Sequence, residues 1–397
     1  MAKHSRAVRE AALTGRHARL LDTSFTVDAF SYGAIEGCSA YFLTHFHSDH
    51  YQGLSKSFAH GPIYCTSVTA NLVAERLKVP REQMRPLPLD TTLTIDSVRV
   101  TLIDANHCPG AAIILFEVPD ASSPDGWRRH LHTGDFRAIP AHVEHAAIAK
   151  CPSLDMVYLD TTYLDPSYAF PAQSSVLEAT VRTATTTTTT SSAASSRVLF
   201  VVGTYLIGKE RVFQAIANAI GSKIYVTEEK QRILACLEDE RLASLITTEP
   251  SKANVHVVSM NQLNRAWLTG YLDHHREAGF TSLVAFRPTG WSYKSKRQKD
   301  AGHADSGSDS ETADPVSNAA VRWPCTAYSV QSLQSTKLSS DIVSYSVPYS
   351  EHSSFDELAA FVRSLSIRGK VQPTVNLRND AAVRKMTHWL GRWMLRR

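Results

Sequence analysis

The densest chemistry in the chain lies in Thr44-His45-Phe46-His47-Ser48-Asp49-His50, directly after the apolar run Tyr41-Phe42-Leu43. Imidazole nitrogen and carboxylate oxygen are the donors that a borderline ion such as zinc accepts, and two clusters of them suit two adjacent ions. If the apolar run is a strand, alternation puts His45 and His47 on one side, and the turn that follows can swing Asp49 and His50 toward a neighbouring position. A solvated histidine patch would account for any one of these residues. It does not account for all of them gathering at the end of an apolar strand.

Other groups recur at similar strand-to-loop edges. His107 lies in Asn106-His107-Cys108-Pro109-Gly110-Ala111, and Asp135 in His132-Thr133-Gly134-Asp135-Phe136-Arg137. Each is an ordinary turn residue when taken alone, but a carboxylate that follows such a histidine cluster can bridge two metals. Asp160 ends an apolar run in Tyr158-Leu159-Asp160-Thr161-Thr162-Tyr163, and His352 stands in Pro348-Tyr349-Ser350-Glu351-His352-Ser353-Ser354. Gly203-Thr204-Tyr205-Leu206-Ile207-Gly208-Lys209-Glu210 leaves a strand and enters a helix, a place where backbone N–H groups favour phosphate and Lys209 can add full charge.

The elements that must position these groups alternate along the chain. AYFLTHF, VRVTLIDA, AAIILFEV, MVYLDTT, RVLFVVGTY and SLVAFRP are rich in β-branched and aromatic residues and predict strands. SVTANLVAERLKV, GKERVFQAIANAIG and SFDELAAFVRSL carry apolar residues at three- and four-residue spacing and predict helices. The last has Glu357 three residues after Ser354, a capping box. The class is therefore α/β. Two polar tracts, 183–196 with its run of threonines and 295–319 with GHADSGSDSETADP, read as mobile loops, because neither buries enough surface to offset ordering.

Composition sets only outer bounds. The chain has 397 residues, 43% hydrophobic and 20% charged, which is enough for two globular domains. A net charge of +4 permits a nucleic-acid partner without arguing for one. The 6 cysteines are scattered and read as thiols in a reducing compartment. The basic N-terminus lacks the apolar core of a secretory signal, and no segment reaches membrane-span length, so an intracellular soluble protein is expected.

Taken in order, these motifs resemble the DNA-crosslink-repair metallo-β-lactamases, the β-CASP nucleases of the Artemis and Apollo group, and within it the interstrand-crosslink-repair 5′ exonuclease branch. The segments that carry the resemblance are H-x-H-x-D-H, His-Cys-Pro-Gly-Ala, Gly-Asp-Phe-Arg, Leu-Asp-Thr-Thr-Tyr, Gly-Thr-Tyr-x-Ile-Gly-Lys-Glu, Arg-Pro-Thr-Gly-Trp and Pro-Tyr-Ser-Glu-His-Ser-Ser, from about Phe25 to the C-terminus. The resemblance implies a four-layer αββα metallo-β-lactamase fold with an inserted α/β β-CASP domain: an N-terminal portion over 1–165, the insert over 166–335, and a C-terminal portion over 336–397.

The resemblance also implies roles. His45, His47, His107 and Asp135 would hold a first metal, and Asp49, His50 and the bridging Asp135 a second. Asp28 would orient a ligand histidine from behind. Asp49, Asp160 and His352 are the expected catalytic residues, with Asp160 positioning His352 to protonate the leaving oxygen. Thr204, Lys209, Thr289, Gly290 and Ser350 would line a site for a 5′-terminal phosphate, with Arg287-Pro288-Thr289-Gly290-Trp291 forming part of its wall. RNA-cutting members carry a further ligand histidine where this chain has Val375, in Gln372-Pro373-Thr374-Val375-Asn376. One zinc is then held tightly, and a second site is weaker and open to magnesium or manganese.

The expected function is hydrolysis of DNA phosphodiesters by activated water in crosslink repair, in the nucleus, where the basic run Lys294-Ser295-Lys296-Arg297-Gln298-Lys299 is compatible with import. The competing readings are an RNA-processing endonuclease, a lactam or thioester hydrolase, and a non-catalytic descendant of such enzymes. Val375 argues against the first, the extra cassette against the second, and the complete ligand set against the third.

Overall fold

The computed structural model describes Leu20, 22–190, 197–290, Trp323, 333–377 and 379–395. The basic run at 294–299, the Ser/Asp-rich tract at 295–319, Trp291 and Cys325 lie outside the described residues. The described chain divides into two compact units, one ending its first pass at Ala169 and resuming at His352, the other comprising the described residues between Phe170 and Glu351.

The first unit opens with four short parallel strands, β1 (Phe25–Val27), β2 (Ala40–Phe42), β3 (Ile63–Cys65) and β4 (Met84–Pro86), in that spatial order. Between them lie a single helical turn, α1 (Ser48–Tyr51), and α2 (Ser67–Leu77), where the Thr66 hydroxyl caps the helix by accepting from the Thr69 N–H. A second sheet follows, with β5 (Thr92–Ile95), β6 (Val98–Asp104), β7 (Ala112–Pro119) and β8 (Trp127–His132) antiparallel and β9 (Leu154–Leu159) parallel to β8. Alternate residues of both sheets meet in one core. Phe25, Val27 and Phe42 come from the first sheet, and Val100, Leu102, Ile114 and Phe116 from the second. The Phe42 and Phe116 rings meet edge to face at 5.0 Å between centroids.

The second unit is an open parallel sheet. In spatial order it is β12 (Ile246–Thr247), β11 (Lys223–Tyr225), β13 (Ala253–Ser259), β10 (Arg197–Thr204), β14 (Phe280–Pro288), β16 (Ile342–Val347) and β15 (Gln334–Lys337), the last antiparallel. The central strand, β10, is buried along nearly its whole length, as its continuous apolar run requires. Two helices border it in sequence, α3 (Gln173–Thr190) and α4 (Glu210–Ile220), the latter burying Val212, Phe213, Ile216 and Ala217 on one stripe and ending at Gly221 with φ 64°.

The chain then returns to the first unit through α5 (Phe355–Ser364), which carries the capping box of Ser354 and Glu357 expected from the sequence. Strand β17 (Ile367–Pro373) adds to the second sheet beside β9, and α6 (Asp380–Leu395) packs against β17 while α2 packs against β4. Helices thus border the outer faces of two packed sheets, the αββα arrangement.

One expectation needs correction. The tract at 183–196 is not a loop throughout, because α3 continues to Thr190; residues 191–196 lie outside the described residues. Its threonines stay helical because their hydroxyls bond back one turn: Thr183 to Ala179 O at 2.8 Å, Thr187 to Thr183 O at 2.8 Å and Thr188 to Ala184 O at 3.0 Å. Buried Val176, Ala179 and Ala184 anchor the helix. Strands β15 and β16 are hydrogen-bonded into the second unit's sheet, and the compact unit begins at Phe170 and reaches Glu351. Among the described residues no helix is long and apolar enough to cross a membrane, and the described cysteines are free thiols.

Buried His256 on β13 gives the second unit a pH dependence. Its Nε2 faces the carbonyls of Pro250 (3.0 Å) and Ala253 (3.2 Å) and must be the donor, so Nδ1 accepts from the Tyr271 hydroxyl at 2.8 Å. Burial pushes its pKa down to about 4. Between the unfolded value near 6.5 and this folded value the unfolded chain binds the extra proton, so stability is complete above about pH 6.5 and falls as pH drops, by about 3 kcal/mol in all. Denaturant unfolding followed from pH 7.5 to 4.5 is expected to show this loss, and His256→Gln is expected to flatten it; an unchanged slope in the variant would contradict the assignment.

Candidate metal centre

Asp28, at the turn after β1, is where the site begins. It is buried, with φ 52°, and its two oxygens accept from the Thr44 backbone N–H (2.8 Å) and the Thr44 hydroxyl (2.7 Å). Burial opposes its charge, but His50, His132 and the Thr44 bonds outweigh burial and hold its pKa below the usual carboxylate range. An ionised carboxylate can only accept, so the single Thr44 hydroxyl proton goes to Asp28. His45 Nδ1, 3.0 Å from that hydroxyl, must then donate to it. This leaves His45 Nε2 as a bare lone pair. Burial, with the neighbouring His50, His47 and His107, keeps this ring well below the ordinary histidine pKa and therefore neutral.

That lone pair points into a cluster. His45 Nε2 is 3.0 Å from His47 Nδ1, which in turn is 3.1 Å from His107 Nε2. Asp135 Oδ2 stands 3.7 Å from His45 Nε2, 3.9 Å from His107 Nε2 and 3.3 Å from His50 Nε2. Three imidazole nitrogens and a carboxylate oxygen face one small space, and this donor set fits zinc. The nitrogens reach this point because β2 releases His45 and His47 at its carboxyl edge, β6 and β7 present His107 in their connection, and β8 presents Asp135 after Gly134. Gly134 has φ 53°, and a Cβ there would meet Thr44 Cβ at 2.8 Å, so the loop closes on Thr44 only with glycine.

His50 is held from behind by Asp28, whose Oδ2 is 2.7 Å from Nδ1, so Nε2 faces Asp135. Burial disfavours charge on this ring, but Asp135 and Asp28 prevail and raise its pKa well above the usual value; the His50 charge in turn holds Asp135 well below the carboxylate range despite burial. Asp49 is not drawn into the cluster. Its side chain is 77% exposed, with Oδ2 3.7 Å from His50 Nε2.

A second carboxylate–histidine pair faces the same group. Asp160, at the end of β9, accepts from the Thr162 N–H (2.9 Å) and hydroxyl (2.6 Å) on one oxygen and lies 2.8 Å from His352 Nδ1 on the other. His352 therefore presents Nε2, and a ligand atom each from His107, Asp135 and His352 lie within 4.8 Å of one another. The expected residues His45, His47, His50, His107, Asp135, Asp28, Asp160 and His352 thus converge. Sequence reasoning missed Thr44 as the relay between Asp28 and His45, and Cys108, whose Sγ falls within the His45–His47–His107 group. It also missed the buried fork of Arg137 on Glu357 (2.9 Å from Nη2), which ties the Asp135 loop to α5. The adjacency of Thr44 to His45 was a visible signal; the Arg137–Glu357 pair, distant in sequence, had none. Val375 offers no ligand atom on its side chain, and its carbonyl accepts from the Thr161 hydroxyl at 3.1 Å.

The residues expected to hold a phosphate belong to the second unit. Thr204 ends β10, Thr289 and Gly290 follow β14, and Ser350 is buried beyond β16. Lys209 is already paired within the fold. Its ammonium lies 2.6 Å from Glu351 Oε2 and its backbone N–H donates to Glu351 Oε1 at 2.7 Å, both side chains being buried. A buried cation must be paired, and this one is paired within the fold rather than left for a ligand.

Comparison with known proteins agrees with the geometry. A family model described as DNA repair metallo-beta-lactamase matches residues 240–379, and one described as beta-lactamase superfamily domain matches 20–195. The chain is 40% identical to the DNA cross-link repair 1A protein of Mus musculus over 95% of its length and 32% of the relative's. It is 40% identical to the DNA cross-link repair protein SNM1 of Arabidopsis thaliana over 95% of its length and 69% of the relative's. It is 30% identical to the 5′ exonuclease Apollo of Gallus gallus over 86% of its length and 60% of the relative's. The chain thus spans about a third of the mouse protein, 32% of its length.

If the cluster holds metal through its inward-facing lone pairs, Asp135→Ala is expected to abolish stoichiometric metal in the purified protein. Asp28→Asn, which leaves the ligands in place but frees the His50 ring, is expected to weaken metal affinity by roughly 10- to 100-fold. Elemental analysis and competition with a chelating dye measure both; wild-type content and affinity in either variant would contradict the arrangement.

Proposed function

This chain belongs to the DNA-repair metallo-β-lactamase family, and on that basis we propose that it is a metal-dependent DNA nuclease, a 5′-to-3′ exonuclease acting in the nucleus on interstrand crosslinks. The observation that carries the reading is the Asp160–His352 pair directed at the same space as His45, His47, His107 and Asp135. The pair can supply the proton that a departing sugar oxygen requires, and the DNA-repair relatives favour that leaving group over a lactam or thioester.

His45, His47, His107 and Asp135 would hold a zinc ion tightly. His50, with Asp135 shared and Asp49 at the exposed lip, would hold a second ion more weakly, zinc, magnesium or manganese; the exposure of Asp49 and the lack of a ligand at Val375 both support the weaker site. Bound metal supplies neutralisation of the phosphate charge and lowers the pKa of water from about 15.7 toward 7. The rest is done by side chains. Asp160 fixes the His352 ring through Nδ1 and stabilises its protonated form, so that Nε2–H can be given to the leaving oxygen as the P–O bond breaks. Asp28 keeps His50 from rotating away from Asp135. The 5′ polarity follows the relative named 5′ exonuclease Apollo, the preference for a 5′-terminal phosphate is the expectation that the family resemblance carries, and Val375 favours DNA over RNA.

His352→Gln is expected to retain metal and lose roughly 100- to 10,000-fold in kcat on single-stranded DNA. The unaltered protein is expected to digest a 5′-phosphorylated strand faster than its 5′-hydroxyl counterpart, and to leave RNA and a chromogenic lactam largely intact. Full activity of His352→Gln would remove the proton-donor role, and preferred cleavage of RNA or lactam would overturn the substrate assignment.

A further inference from the structure

The turn Gly203–Glu210, expected to meet phosphate through Lys209, presents a different group to solvent. Tyr205 is one of the few large hydrophobic side chains exposed among the described residues, at 56%. Among those residues its ring makes no aromatic contact and its hydroxyl no hydrogen bond. An unsupported aromatic ring on a loop is ordinary, but the loop beneath this one is fixed from several sides. The Lys230 ammonium donates to the carbonyls of Tyr205 (3.1 Å) and Leu206 (2.7 Å). Ile207 is buried. The Gly208 N–H donates to Glu210 Oε1 at 2.9 Å, and Gly208 has φ 98°, where a Cβ would meet Glu351 Oε2 at 2.9 Å. Lys209 is held at φ 71° by its two bonds to Glu351. A non-glycine residue in the left-handed region persists only where its surroundings over-determine it. Two lysines and two glutamates therefore serve to fix a backbone whose outward product is one aromatic face.

The position of that face in the sheet has meaning. In an open parallel sheet, ligands bind outside the carboxyl ends of adjacent strands whose onward connections run to opposite sides. β10 leads through α4 to β11 on one side, and β14 leads to β15 and β16 on the other, while β10 and β14 are direct neighbours, with Val202 opposite Phe286. The crevice predicted by this rule opens where β10 gives way to Tyr205 and β14 to Thr289.

Resting on the reading of this chain as a nuclease of DNA strands, we propose that Tyr205 is a stacking platform for a nucleobase of a single-stranded DNA bound at the β10/β14 edge of the second unit, a substrate-positioning residue. A flat π-face accepts any base, so the contact holds the strand without reading its sequence. Stacking of one base on one ring predicts a loss of roughly tenfold in affinity when the ring is removed.

The test uses the full chain and a 5′-phosphorylated oligothymidylate, with thermal unfolding as the check on folding. Tyr205→Leu is expected to raise KM and weaken binding about tenfold while Tyr205→Phe retains both, because Leu keeps the apolar bulk and Phe keeps the ring. The unaltered protein is expected to show a comparable penalty on strands with single abasic positions, at one position near the 5′ end and not at others, and Tyr205→Leu to show no added penalty at that position. Equal KM for Leu and unaltered protein, or an undiminished Leu penalty on every abasic strand, would overturn the stacking role. Failure of the unaltered protein to digest any DNA would instead overturn the nuclease reading.

Discussion

The orientation of five histidine rings is the constraint on which the rest of the first unit depends. A neutral imidazole has one proton and one lone pair, and a ring that serves as a metal ligand needs its lone pair to face inward. In this chain the outward Nδ1–H is accounted for in three of the five rings: His45 gives it to Thr44, His50 to Asp28 and His352 to Asp160. Each acceptor is buried and is itself fixed by backbone or hydroxyl donors. The result is a set of inward-facing imidazole nitrogens and one carboxylate held a few ångströms apart, an arrangement that becomes favourable around a cation.

The two packed sheets supply what that arrangement needs. Short parallel strands end together, so β2, β8 and β9 deliver His45, Asp135 and Asp160 from their carboxyl edges, and the β6–β7 connection adds His107. Burial of Asp28, Thr44 and His45 removes water from behind the ligands, which strengthens each charge-assisted bond and fixes which ring nitrogen carries the proton. The Arg137–Glu357 fork extends the same logic, tying the loop that bears Asp135 to the helix that follows His352.

The second unit applies charge pairing to a different end. Lys209, Glu351, Glu210 and Lys230 form bonds that end within the turn after β10 rather than at a ligand. A motif whose lysine suggests phosphate contact is thereby a scaffold, and the residue it displays is the aromatic one. The motif's conspicuous charge draws the eye in the sequence, but burial decides which of its side chains can meet anything from outside.

The sequence by itself determined the local and the periodic. Strand and helix runs, the capping box at Ser354, and the ligand types at strand edges were all legible, because alternation, helical spacing and coordination chemistry are properties of short segments. That His45, His47, His107 and Asp135 could act together was implied by the family resemblance, and the fold brings them to one place. What the sequence could not supply were choices made between distant segments. Thr183–Thr190 read as a loop because polarity predicts solvation, and only the back-bonded hydroxyls of a formed helix satisfy those groups internally. That β16 joins the second unit's sheet beside β14, and β15 beside β16, is a matter of pairing, not of composition. Lys209 looked available, and the fold pairs it with buried Glu351, while Asp49 stays exposed at the lip of the cluster; which carboxylate a cationic side chain meets within about 3 Å is decided by the folded chain.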